Sequence, residues 1–263
     1  MITTIALAIF IAKVVLTSGI DLPNPAANPP APAVPAPDPA LPRGPFAQGD
    51  DPKRATVAAT ALRPLLTAEL TAAGLKFGAP VFIRVFKEER LLELWIRQPD
   101  KSTYQLFRSY PVAGMSGRLG PKLAEGDNQA PEGFYFVPKS MMHPTSTYHL
   151  AFNLGYPNTY DRSHHRTGSF LMVHGNRVSI GCYAMTDAMI EEIFTLCDAA
   201  LGNGQPYFRI HCFPFRMTPE RMDAAKLDEW FPFWQNLREG HDLFEQNKIP
   251  PDVSVRNQRY HFE

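Results

Sequence analysis

Proline is crowded into one stretch of this chain. Between Pro23 and Pro45, 23 residues hold ten prolines and six alanines, and only Asp38 and Arg43 are charged. Each proline removes a backbone donor and locks φ, so the run suits neither a helix interior nor a central strand. It is read as an extended, polyproline-like spacer. Five segments follow: a leader over 1–20, a Pro/Ala-rich linker over 21–50, a helical lead-in over 51–78, a main domain over 79–217, and a helical extension with a tail over 218–263.

The leader is apolar apart from Lys13 and some hydroxyls. Its Ile5–Ala12 run matches the core of a signal peptide and falls short of the roughly 20 apolar residues of a membrane span. Export is therefore expected, with the leader cleaved near Thr17 and Gly19 or kept as an N-terminal anchor. The 26 basic and 26 acidic side chains balance, which argues against a protein that coats nucleic acid. Three cysteines without a C-x-x-C pair give neither a disulfide scaffold nor a structural zinc site.

After Asp51 the pattern is that of an α+β domain, mainly β, with helices on both sides. Arg54 to Leu75 reads as a helix, bent or broken at Pro64. Val81–Lys87, Leu91–Arg97 and Thr103–Val112 read as strands. In the second, Leu92, Leu94 and Ile96 share one face, and Glu93, Trp95 and Arg97 the other. A loop rich in glycine runs from Gly114 to Gly133. Phe134–Val137, Thr147–Asn153 and Phe170–His174 are short strands. Thr186 caps a helix whose apolar stripe contains Met189, Ile190, Ile193, Phe194, Cys197 and Leu201. Tyr207–Phe213 returns as a strand, Thr218-Pro219-Glu220 opens another helix, and Trp230–Asn247 forms a third before a tail from Pro250.

One segment carries chemistry: His174-Gly175-Asn176-Arg177-Val178-Ser179-Ile180-Gly181-Cys182-Tyr183. Cysteine catalysis needs a thiolate, a base that generates it, and donors for the oxyanion that follows. Gly175-Asn176 lets the chain double back so that His174 faces Cys182. Gly181 permits close approach of a substrate to the backbone, and the N–H groups of Cys182 and Tyr183 are candidate oxyanion donors. A helix N-terminus after the cysteine is expected to lower the thiol pKa. A buried structural cysteine beside a core histidine is the alternative that spacing leaves open.

With Gly126-Asp127, Pro131-Glu-Gly-Phe-Tyr135, Asn153-Leu-Gly-Tyr-Pro-Asn158, Tyr160-Asp-Arg162, Ser179-Ile-Gly-Cys-Tyr-Ala-Met185 and Pro214-Phe-Arg-Met217, the sequence resembles the L,D-transpeptidase catalytic domain of YkuD type, in its YafK-like branch. The resemblance implies a cysteine enzyme of the bacterial envelope, periplasmic, that acts at diaminopimelate in peptidoglycan peptide stems through a thioester. No cofactor and no metal are expected. Amines resolve the thioester into cross-links or lipoprotein attachments, and water resolves it into hydrolysed product; the YafK-like branch points to a wall-linked lipoprotein as a partner and to release from diaminopimelate as an alternative. Cys182 matches the nucleophile, His174 the base and Gly181 the oxyanion turn, while Ser179 sits at the family's Ser/Thr position and, with Tyr183, beside the substrate. A wall-binding module without catalysis is the remote alternative, since it needs neither His174 nor Cys182.

The chain also departs from the family pattern. His174 and Cys182 are eight residues apart, about half the usual family separation. Ile180 stands where many relatives have a second histidine, and Ala184 where an arginine is common. Arg162, Arg166 and Arg177 are the candidates for binding a substrate carboxylate in its place. Elsewhere, His164-His165 lacks the spacing of a zinc site. Cys197 and Cys212 read as buried free thiols, Trp230 to Trp234 as packing, and Asp127 with Glu132 as a turn rather than a glycosidase pair.

Overall fold

The computed structural model describes residues 53–263; the leader and the Pro/Ala-rich linker lie outside them. Among the described residues, no helix is long and apolar enough to cross a membrane. Three antiparallel strands come first: β1 (Val81–Phe86), β2 (Leu91–Arg97) and β3 (Tyr104–Pro111). β9 (Tyr207–Phe213) lies parallel to β1, and β4 (Gly133–Pro138) pairs antiparallel with β9, which gives the order β3-β2-β1-β9-β4.

Alternation along β1 and β2 sends Val81, Ile83, Val85, Leu92, Leu94 and Ile96 to one face, where they form the main core with α1 (Arg54–Ala72) and α3 (Asp187–Gly202). α1 runs through Pro64 as one continuous helix rather than breaking there. The opposite face carries Phe82, Arg84, Glu93 and Trp95. It is buried too, because α5 (Phe231–Asn247) covers it and places Phe244 against Phe82 and Trp95. Arg84 and Glu93 are tolerated there as a buried ion pair 2.7 Å long.

A second, smaller sheet carries His174 and is joined by Cys182 at one strand's start. Its order is β5 (Met142–His143), β6 (Ala151–Asn153), β7 (Met172–His174) and β8 (Tyr183–Ala184), with β7 and β8 parallel. These strands are shorter than the alternation suggests, since residues 147–150 and 170–171 lie outside them. Two short helices, α2 (Thr159–Ser163) and α4 (Pro219–Ala224), complete the set. Asn158 and Asp161 form a reciprocal cap on α2, and Thr218 caps α4.

Beyond Pro250 the expected tail is instead a hairpin, β10 (Val253–Arg256) and β11 (Arg259–Phe262). Tyr260 and Phe262 dock on Phe134, and Asn236 of α5 bonds both the N–H and the carbonyl of Tyr260. Four-residue strands of mixed polarity leave little periodic signal; their partners on β4 and α5 hold them.

Candidate active site

β7 delivers His174 and β8 begins one residue after Cys182, with His174 in register with Ala184. The connection between them is folded tightly against the body. Asn176 donates its N–H to Asp187 Oδ1 at 2.7 Å, and its carbonyl accepts the Thr186 N–H. Gly175 has no room for a side chain, because a Cβ there would sit 2.6 Å from Asp187 Oδ1 and 2.8 Å from the Tyr148 carbonyl. On the other side of β8, the 113–114 backbone bonds Ala184, so the long glycine-rich loop starts beside the strand that follows Cys182.

The His174 ring is buried, and its Nδ1 lies 2.5 Å from the Gly175 carbonyl oxygen. A carbonyl only accepts, so Nδ1 carries the hydrogen and Nε2 of the neutral ring holds the lone pair. Burial lowers the His174 pKa, against the smaller opposing effect of that hydrogen bond. Tyr148 lies over the ring at a centroid distance of 4.8 Å.

Cys182 is half-buried. Its thiol donates to the Phe170 carbonyl at 3.6 Å and accepts the Met172 N–H at 3.4 Å. Burial raises its pKa; the Met172 N–H and the charge of Lys122 pull the other way without reversing it. The expected helix N-terminus does not act here: α3 starts at Asp187, and β8 lies between it and the cysteine. The resting pair is therefore a neutral thiol and a neutral imidazole. Among the described residues they are not hydrogen-bonded to each other.

Ser179 organises the turn. Its hydroxyl donates to the Cys182 carbonyl at 2.7 Å and accepts the Gly181 N–H at 3.2 Å. The Gly181 N–H is thus engaged, and this residue serves by its conformation, with φ at +126°. The Cys182 N–H forms no hydrogen bond among the described residues. Tyr183 turns into the core, where its hydroxyl donates to the Pro131 carbonyl at 2.7 Å, so its side chain does not face substrate.

The three arginines separate. Arg166 is buried, paired with Asp161 at 2.9 Å and set over the rings of Tyr160 and Phe233; it braces the α2 loop and is not open to a substrate. Arg162 is exposed, bonds the Pro157 carbonyl and borders a cavity whose lining includes neither His174 nor Cys182. Arg177 is exposed within the His174–Cys182 connection, and its guanidinium has no hydrogen-bond or ion-pair partner among the described residues.

Cys197 and Cys212 are free, fully buried thiols. Glu132 forms a buried ion pair with Lys87 at 2.9 Å, and Asp127 accepts three backbone N–H groups of its own turn. Two neighbours of the site, Tyr148 and Lys122, had no signal in the sequence, since each reaches it from a distant loop.

The family model for the L,D-transpeptidase catalytic domain (YkuD) matches residues 80–210. YafK of Escherichia coli (strain K12), a candidate L,D-transpeptidase, is 48% identical over 183 residues, which are 70% of this chain and 74% of that protein. This chain belongs to the L,D-transpeptidase family. YafK of Escherichia coli O157:H7 matches with the same identity and coverage. Among solved structures, the helical cell shape determining protein Pgp2 of Campylobacter jejuni is 18% identical, with a TM-score of 0.41 over 72% of this chain and 80% of that one. Bd1075 of Bdellovibrio bacteriovorus is 18% identical, with a TM-score of 0.37 over 70% and 83%. The α+β fold is that of the family, and membership makes this a peptidoglycan-related protein.

Proposed function

We propose that the protein is an exported, periplasmic cysteine enzyme of the cell wall that acts on peptidoglycan peptide stems, with Cys182 as nucleophile and His174 as base. The observation that carries this reading is the Nδ1–H to Gly175 carbonyl bond, which leaves Nε2 of a buried neutral imidazole as a proton acceptor.

Acylation begins when the thiol leaves the Phe170 carbonyl. Sγ attacks the carbonyl carbon of diaminopimelate as its proton passes to Nε2. The oxyanion takes up the free Cys182 N–H. Collapse breaks the bond to the terminal residue, whose amine leaves with the proton from Nε2, and the stem remains as a thioester. An amine acceptor then forms a new amide, or water gives the free acid. Arg177, within the same connection, is the arginine that fits a carboxylate-binding role.

Incubation with defined muropeptides, with and without a lysine-bearing peptide, tests this by product mass. Loss of the terminal residue together with a covalent adduct on Cys182 is expected. Turnover without such an adduct, and undiminished in Cys182→Ala, overturns it.

One observation favours a second outcome at the same thiol. The short His174–Cys182 connection is tied down at Asn176 and Ser179 and has little chain with which to cover a thioester, which favours water as acceptor. Release of a lipoprotein or peptide from diaminopimelate is then the net reaction.

A further inference from the structure

A cavity of about 420 Å³ opens between the β4–β9 end of the large sheet, α2 and the C-terminal hairpin. Neither His174 nor Cys182 lines it. Its volume falls in the range of small-molecule sites. Phe136 and Tyr207 stand at it with 55% and 39% of their surfaces exposed, and their ring centroids are 5.4 Å apart. Arg162 and Arg209 supply guanidinium donors, and Asp252, which is paired with Arg209, supplies a carboxylate. His211 also lines the cavity; it is 1% exposed, and its Nδ1 is buried without a hydrogen-bond partner.

We infer that this cavity is a saccharide-binding site, separate from the thiol, that takes a pyranose ring of a glycan strand. A pyranose has apolar C–H faces that fit aromatic rings, and a rim of hydroxyls that both donate and accept. The cavity offers Phe136 and Tyr207 to the faces, the two arginines to hydroxyl oxygens and Asp252 to hydroxyl hydrogens. A simple carboxylate ligand would meet Asp252. A purely apolar ligand would cover the Asp252 carboxylate and the remaining N–H groups of Arg162 and Arg209, whose other N–H groups bond Pro157, Pro250 and Asp252, without using them. An uncharged polyhydroxyl ring satisfies both. This role rests on the proposed function, in which the glycan belongs to the same peptidoglycan substrate.

The test is calorimetric titration of the full chain with chitotetraose and, separately, with peptide-free glycan strands prepared from peptidoglycan. Neither titration requires turnover, so its failure leaves the thiol chemistry untouched. Saturable binding of either saccharide is expected, and the tighter of the two identifies the source. Phe136→Ala and Tyr207→Ala, both at exposed side chains, should each weaken it about tenfold. The inference is overturned by no saturable binding of either saccharide, by unchanged affinity in both variants, or by benzoate binding more tightly than the saccharides.

Discussion

Tyr148 lays its ring over the imidazole of His174, with centroids 4.8 Å apart and planes tilted by 33°. Burial is the main cause of the lowered His174 pKa, and this exposed tyrosine contributes to that burial. Tyr148→Ala admits water to the ring and moves the pKa back up toward 6.5. The acid limb of the acylation profile then shifts to higher pH, so activity at pH 6 falls further than activity at pH 8. An acid limb that stays in place while overall activity drops would assign Tyr148 to substrate binding instead.

His174→Ala should slow acylation of Cys182 by about 10²–10⁴-fold, the usual worth of a positioned base. In the wild type, only the neutral ring accepts the thiol proton, and its pKa is lowered. The rate therefore rises with pH through a midpoint below 6.5 and levels off near neutrality. In His174→Ala, alkylation by iodoacetamide should follow the thiol alone, with a midpoint above 9.0 because burial raises it. Intact-protein mass against time, over a pH series, reads both.

Cys182→Ala should abolish the covalent adduct and leave the melting temperature near that of the wild type, because the half-buried thiol makes two weak contacts. Cys197→Ser and Cys212→Ser should do the reverse. Each puts a hydroxyl into a fully buried site and destabilises by about 1–3 kcal/mol without removing the adduct. A folded Cys212→Ser protein that no longer acylates would move the nucleophile to β9.

Glu132→Gln removes the counter-charge of Lys87, whose ammonium also bonds the Gly120 and Ala130 carbonyls. An unpaired buried charge costs about 3–5 kcal/mol, so the unfolding free energy from a urea titration should fall by that amount. The 114–133 loop loses one of its anchors in the same step, since Glu132 also accepts the Gly120 N–H. Equal stability in the variant would show that the Lys87–Glu132 pair adds no net stability.

Product partition is set by what covers the thioester. With the His174–Cys182 connection pinned down at Asn176 and Ala184 in place of a cation, hydrolysis or amide cleavage should run at least as fast as cross-link formation. Trimmed stems or freed lysine-terminated peptide should dominate at high acceptor concentration. Mainly cross-linked dimers would instead assign the lid role to the 114–133 loop.

What the sequence determined by itself is whatever depends on neighbours a few residues apart. Alternation in Leu91–Arg97, the Thr186 cap with its apolar stripe, and Pro219 after Thr218 each specify an element without help from the rest of the chain. The His-Gly to Ser-x-Gly-Cys spacing marked the candidate site in the same way. Tertiary structure decided everything that depends on who comes from far away. Glu93 and Trp95 are buried because α5, more than 130 residues later, covers their face. Arg166 is lost to substrate because Asp161 and Phe233 claim it, and Tyr183 because Pro131 does. The acidity of Cys182 turned on the same point: the sequence puts a helix after it, while the fold inserts β8 and buries the thiol. Burial and partnership are sums over contacts distant in sequence, and no local pattern encodes them.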